Sequence, residues 1–511
     1  MFSPSVPNPA AGGLLGATIY EGHGAGRCNC QFTNIYPYAI GPRIGGAYQI
    51  NSKTVLRAGW GVSYTPLNAF GYLGYSSALG TGWNTLNFAG NNSWDPAFLL
   101  KNGMQYNYSD LYSVSFDAGI RPQAGQINNP PNLIDPNSGR PGRVRQLNIS
   151  LQREVTSNLV VEAAYVASRG AWLTNNALVT FNAVTPERLA SFGLNINNAA
   201  DRTLLRSTIT SPAVVARGFK LPYAGFPTGQ TLDQALRPFP QFGSLGPSGA
   251  PLGNSWYDSL QIKVTKRFSR GLDLTSAFTW QKELDMNNVN DVFNRPNQKN
   301  IAAASQPFQF VTAYNYELPK ITSNKLLRAA VGGWSFAGVL RYSSGTPIAV
   351  PASNNSLSGL LQQSTRMNRV AGQPLFLVSN LNCRCFDPGR TFVLNPKAWS
   401  DPADGQWGTS AAFYGDYRNR RQPDEQMSIG RIFRFRERMS LQIRAEFFNV
   451  FNRTVFPAIT GNNPATTPTV NANGLLTGGF GFYNTSTAGN VQTGGIIPTS
   501  RNGQLVARFQ W

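Results

Sequence analysis

From Gln146 to Val155 the side chains alternate in character, with Leu147, Ile149, Leu151 and Val155 on one face and Gln146, Asn148, Ser150, Gln152 and Glu154 on the other. A period of two is the signature of a β-strand with unlike environments on its two faces. After Thr156, Ser157 and Asn158 the pattern resumes with Leu159, Val161, Ala163, Tyr165 and Ala167, so the pair reads as a hairpin. Leu260, Ile262, Val264 and Phe268 repeat the design and pass through Ser269, Arg270 and Gly271 into Leu272, Leu274, Phe278 and Trp280. Two more hairpins are expected, near 43–64 around Asn51 to Lys53 and near 426–449 around Glu437 and Arg438. Single strands are expected at 307–318 and 332–343, a weaker one near 478–484, and a closing strand in which Leu505, Ala507, Phe509 and Trp511 face one way. Each run covers about nine to twelve residues, the length a tilted strand needs to cross a bilayer. Strands of soluble sandwiches are nearer five or six.

The connections are of two kinds. Those at 51–53, 156–158, 269–271 and 436–438 are tight, whereas 65–144, 170–255 and 344–425 are long and rich in Gly, Pro, Asn and Ser. Short turns at one end and long loops at the other are the organisation of a transmembrane barrel. Three unstructured loops of that length are foreign to a compact soluble domain. No stretch approaches the roughly 18 consecutive apolar residues of a membrane helix, so a chain of this kind spans, if it spans, as a closed barrel. Charged residues make up 13% of the 511-residue chain, about half the usual share, and aromatics 12%. Several aromatics fall near strand ends (Trp60, Tyr64, Trp172, Trp280, Trp334 and Tyr342), where interfacial girdles belong. The expected fold is all-β: an antiparallel transmembrane β-barrel portion of about 12 strands with short periplasmic turns and long extracellular loops.

Several chemistries are disfavoured. His23 is the only histidine, which removes histidine metal triads, His-based nucleophile activation and the common zinc protease motif. Among 24 Asp and Glu no pair is singled out for glycosidase work. No enzyme, cofactor or metal site is expected. Gly22, His23, Gly24, Ala25 and Gly26 resemble a phosphate-cradling loop only in composition, lacking the strand before and the helix after, and read as flexible loop. The net charge of +20 comes from scattered arginines such as Arg143, Arg145, Arg418, Arg420, Arg421, Arg434, Arg436 and Arg438, within no nucleic-acid-binding motif. Nucleic acid is not expected as a partner. Outer-membrane lipid, anionic lipopolysaccharide or a cationic lumen suits the sign as well.

Cys28, Cys30, Cys383 and Cys385 form two Cys-x-Cys pairs in long loops. In an oxidising compartment they suggest disulfides, within each close pair or across between the loops; zinc held by four thiolates is the rival, at a spacing one residue shorter than usual. The row Leu505, Ala507, Phe509 and Trp511, in phase with a final aromatic, is the candidate signal for the barrel-insertion machinery; the rival is an ordinary amphipathic strand.

The segments YDSLQIKVTKRFSRGLDLTSAFTW (257–280), GGWSFAGVLRYSSGTP (332–347) and RAEFFNVFNR (444–453), with the closing strand, resemble the barrel of Oar-like TonB-dependent transporters that carry a carboxypeptidase-regulatory-like domain. The likeness runs through nearly the whole chain, in strand motifs that name no substrate. In that family a signal peptide, the regulatory-like domain and a plug bearing the TonB-binding segment precede a barrel of about 22 strands. No signal peptide, regulatory-like domain or plug is recognisable in 1–511, so the resemblance implies the C-terminal part of the barrel, with TonB engaged only through an N-terminal part. It also implies a Gram-negative outer-membrane receptor that takes a bulky extracellular ligand such as a siderophore, glycan or peptide. A non-transporting surface protein or adhesin anchored by the same barrel is the alternative, and a soluble secreted β-protein a third.

Overall fold

In the computed structural model the described residues are 1–65, 96, 99, 101, 116–127, 130–288, 291, 293–319, 332–355, 357, 365–436, 439–454, 456–460, 463–485 and 500–511. Eleven long strands dominate: β1 (Arg43–Asn51), β2 (Thr54–Tyr64), β3 (Arg143–Thr156), β4 (Leu159–Leu173), β5 (Gly253–Ser269), β6 (Leu272–Asp285), β7 (Phe308–Glu317), β8 (Trp334–Ser343), β9 (Gln422–Arg436), β10 (Met439–Phe448) and β11 (Asn502–Gln510). They pair in sequence order as one antiparallel meander, and the short strand Asn300–Ile301 is added beside β6.

The connections alternate strictly. Positions 52–53, 157–158, 270–271, 318–333 and 437–438 join strands at one end; 65–142, 174–252, 286–307, 344–421 and 449–501 join them at the other. The expected turn at Glu437 and Arg438, and much of the loop at 65–144, lie outside the described residues. At the β5–β6 turn Arg270 and Gly271 have φ of 52° and 82°, the left-handed pair that a two-residue hairpin with native twist demands. A Cβ at Gly271 would run into the Glu317 carbonyl of β7, so glycine is required there twice over.

Register turns separate alternations into two continuous surfaces. Across β2 to β7, Ala58, Ile149, Tyr165, Leu260, Trp280 and Phe308 are successive partners. One residue along, Arg57, Ser150, Ala164, Gln261, Thr279, Gln309, Ser343 and Gln422 form a predominantly polar row on the opposite face from β2 to β9. The apolar face continues through Tyr316, Phe336, Ile429, Ala445 and Leu505 to β11. Ile44, Tyr48, Ile149, Trp280, Phe308 and Phe509 all stand exposed on it. A soluble monomer seldom exposes more than a few hundred Å² of contiguous apolar surface; a face eleven strands wide needs hydrocarbon against it. Among the described residues no helix is long and apolar enough to cross a membrane, and the strands do the spanning.

One expectation changes. The run near 478–484 is not a strand of the large sheet: Gly479 and Gly481 adopt φ of 120° and 79°, and Phe480, Phe482 and Tyr483 are buried in the loop layer. Trp172, near the long-loop end of β4, occupies a bulge with φ of 60° where pairing to β5 slips between Gly170 and Leu173. The sheet is open among the described residues, with β1 and β11 each paired on one side. Both edges run in the same direction, because ten antiparallel steps separate them.

Ile262 sits mid-strand on the apolar face and Gln261 on the polar one. Ile262→Arg should cost about 2–4 kcal/mol of folding free energy in lipid vesicles, Gln261→Arg about 1 or less. Urea titration of vesicle-inserted protein checks this, and equal costs at the two positions would contradict the face assignment.

Candidate binding surface at the long-loop end

Among the described residues the long connections are folded rather than slack. Within 174–252 four short helices follow one another, α1 (Pro186–Ser191), α2 (Ala199–Arg206), α3 (Pro212–Ala216) and α4 (Leu232–Ala235). Thr185, Asn198 and Thr231 cap α1, α2 and α4 by accepting hydrogen bonds from first-turn amides, and proline opens α1 and α3. These are local start signals that need no tertiary help. The helices bury Val184, Leu189, Leu205, Val214, Phe226 and Leu232 in a core joined by Ala11 from the first residues of the chain and Leu357 from another loop.

The segment after α4 is held by side-chain amides. Asn182 donates to the carbonyls of Phe239, Phe242 and Gly243 at 2.7–3.0 Å and accepts from the Phe239 amide at 2.8 Å. Gln241 donates to the carbonyls of Leu15 and Gly16, tying the N-terminal hairpin Phe2–Pro7 and Leu15–Thr18 to this cap. Beneath lies the buried pair Asp233 and Arg237, 3.3 Å apart. One carboxylate oxygen of Asp233 has no hydrogen-bond partner, and burial pushes its carboxyl up to about 7 despite the guanidinium.

A second cap is built by 344–421 and 449–485 around Val350, Met367, Leu394, Trp399, Tyr417 and Tyr483. It interlocks with the first: Gln406 donates to Asn197 at 2.6 Å, Arg202 pairs with Asp404 at 3.6 Å, and Trp407 packs on the helical core. Its root on the sheet is an ion pair in which Arg453 Nε donates to both oxygens of the fully buried Glu425 at 2.8 and 3.0 Å. Asn449 closes that corner, accepting from the Arg453 amide and donating to its carbonyl. This explains part of the motif ending NVFNR (449–453): its polar residues build a corner.

The polar face beneath is concave, with a cavity of about 440 Å³ whose lining includes Asp273, Asn315, Gln426, Ser428 and Glu446. Glu446 is ion-paired to Arg444 at 2.5 Å and hydrogen-bonded to Gln504. Together, caps and wall offer hydrogen-bonding groups over a wide area. Among the described residues no three His, Cys, Asp or Glu side chains are grouped to hold a metal ion.

The cysteines lie in two separate loops, and the structure joins Cys28 to Cys30 and Cys383 to Cys385, with Cα atoms 5.1 and 5.3 Å apart. The glycines of 22–26 make a tight bend, closed by a bridge between Gly22 and Cys30. Leu505, Ala507 and Phe509 pair with Ala445, Ile443 and Leu441 on the apolar face, and Trp511 beyond them is 87% exposed. The folded caps were missed by sequence reasoning, although the Thr-Pro at 185–186, the Ser-Pro at 211–212 and the caps at Asn198 and Thr231 signalled them.

An antiparallel meander with one continuous apolar face, short turns at one end and structured loops at the other defines an outer-membrane β-barrel wall. The chain belongs to the outer membrane beta barrel domain family, whose model matches residues 1–504, and this places it in the outer membrane of Gram-negative type. Among solved structures it is similar to the ferric-catecholate import receptor Fiu from E. coli K12, at 11% identity and a TM-score of 0.34, covering 97% of this chain and 40% of that one. It is also similar to the outer membrane transporter YddB from Escherichia coli, at 9% identity and 0.34, covering 92% and 40%. A third is the pyoverdine receptor FpvA from Pseudomonas aeruginosa PAO1, at 9% identity and 0.33, covering 92% and 36%. The chain thus spans about two fifths or less of the length of these proteins. No curated protein matches the sequence.

The raised Asp233 carboxyl predicts a pH dependence. Between about pH 4 and 7 the folded cap holds a proton that the unfolded segment has lost, so cap stability is greatest below that window and falls as pH rises through it. Proteolysis of the cap should be slower at pH 5 than at pH 8, and Asp233→Asn should flatten the difference. An unchanged pH profile in the variant would contradict the assignment.

Proposed function

We propose that the chain is the wall and ligand-capturing loop layer of a TonB-dependent outer-membrane receptor that imports a bulky ligand such as a siderophore, glycan or peptide. The observation that carries the reading is the pair of interlocked caps. A membrane anchor needs no ordered loops, whereas capture of a large ligand needs a preorganised surface. Here Asn182, Gln241, the Gln406–Asn197 contact and the Glu425–Arg453 root hold one in place. Coupling to TonB belongs in this reading to segments outside this sequence. The row Leu505, Ala507, Phe509 and Trp511 serves as the contact for the insertion machinery, the two Cys-x-Cys bridges fix loop geometry, and no catalytic step is assigned.

The test is genetic. In the source organism, strains with the gene deleted and with 186–236 replaced by a Gly/Ser linker are grown on a panel of iron complexes, glycans and peptides as limiting nutrient. Both should fail on the same nutrient, the linker strain with a normal amount of heat-modifiable barrel in its outer membrane; Trp511→Ser should instead lower that amount severalfold. A deletion strain that grows normally on every nutrient but loses surface attachment would favour the adhesin.

A further inference from the structure

On the apolar face, the long-loop ends of β3 to β6 carry a cationic cluster. Arg143 and Arg145 share their face with Leu147, Ile149 and Leu151. Register sets Arg169 directly opposite Arg145 and Lys282 opposite Asp258. Like charges directly across a strand pair are destabilising, and the only acid in the cluster is already engaged. Arg169 donates to both oxygens of Asp258 at 2.8 and 3.1 Å and to the Tyr257 carbonyl at 2.7 Å, while the Tyr165 hydroxyl donates to the same carboxylate at 2.6 Å. Asp258 therefore fixes Arg169 and leaves Arg145 without a hydrogen-bond or ion-pair partner among the described residues. Arg140 and Arg143 stack on Trp172, 3.2 and 4.0 Å from its ring centre. The bulge at Trp172 thus holds two guanidinium groups beside Arg145. The tally is five cations, Arg140, Arg143, Arg145, Arg169 and Lys282, against Asp258.

Position decides what can neutralise them. The cluster stands at the loop-side border of the apolar band, directly above Trp60, Leu147 and Leu260. The corresponding ends of β7, β8 and β9 present Phe308, Tyr342, Pro423 and Glu425 on that face, and the charge of Glu425 is already answered by Arg453. A soluble anion would satisfy the charge alone, and only a ligand with phosphates above acyl chains satisfies both the arginines and the apolar band below. Arginine forks match phosphate oxygens in bidentate fashion.

We propose that this surface is a binding site for a phosphorylated, multiply acylated glycolipid of the outer leaflet, its phosphates held by Arg143, Arg145 and Arg169. The site rests on the outer-membrane placement of the chain and deepens it.

The test compares the wild type, the double variant Arg143→Gln/Arg145→Gln and Arg153→Gln, an arginine on the same face at the short-turn end. Each is purified in detergent from outer membranes, and bound lipopolysaccharide is counted by native mass spectrometry. The double variant should retain at least tenfold less than the other two, with all three equally heat-modifiable. Should the double variant fail to fold, wild-type protein stripped of lipid is offered diphosphorylated or dephosphorylated lipid A, and only the first should bind. Equal retention by all three, equal binding of both lipids, or complete displacement by millimolar inorganic phosphate overturns the site. Recovery of the wild type in the soluble fraction would instead sink the membrane placement itself.

Discussion

The structure depends on backbone hydrogen bonding in a medium that offers none. Inside hydrocarbon each unpaired peptide group costs several kcal/mol, so spanning strands must satisfy one another along their length. The ladders from β1 to β11, shifted in register only near strand ends, meet that demand, and they do so in the register that gathers Ile149, Leu260, Trp280 and Phe336 on one side. A slip of one residue at any pair would turn that strand's polar side chains toward lipid, so hydrophobicity enforces register and register enforces pairing. Apart from the register shifts near strand ends, the two edges are where the ladder rule is unmet among the described residues.

Relieved of the need to stabilise the sheet, the long connections are free to fold for another purpose. Their cores, centred on Leu205 and Leu232 in one cap and on Val393 and Tyr417 in the other, are built as in small soluble domains. They are stitched by the side-chain amides of Asn182, Gln234 and Asn395, which donate to backbone carbonyls. The buried Glu425–Arg453 root ties the second cap to the sheet, and the Gln406–Asn197 and Arg202–Asp404 contacts tie the two caps to each other.

The strands were legible in the sequence because period two is local: Leu260, Ile262 and Val264 announce their face without reference to any neighbour. Four of the five short connections were placed as well; 318–333, longer than the rest, shows only as the gap between two single strands. The caps were not legible, because their helices are four to eight residues long and their cores are assembled from segments as distant as Ala11, Leu205 and Leu357. Composition rich in Gly, Pro and Asn suggested slack loops, yet the same prolines open helices and Asn182, Asn198 and Asn395 cap or staple the chain. The 478–484 run misled for a related reason: its Phe480, Phe482 and Tyr483 alternate like a strand but are core residues of a cap. The cationic cluster was invisible until register placed Arg145 opposite Arg169.

The central claim is that one face of the sheet meets lipid. Single cysteines placed at 260 to 265 along β5, in a background with Cys28, Cys30, Cys383 and Cys385 replaced, carry a fluorophore in vesicles containing brominated lipid. Quenching should be strong at 260, 262 and 264 and weak at 261, 263 and 265. Uniform quenching along the strand, or none at any position, would contradict the account.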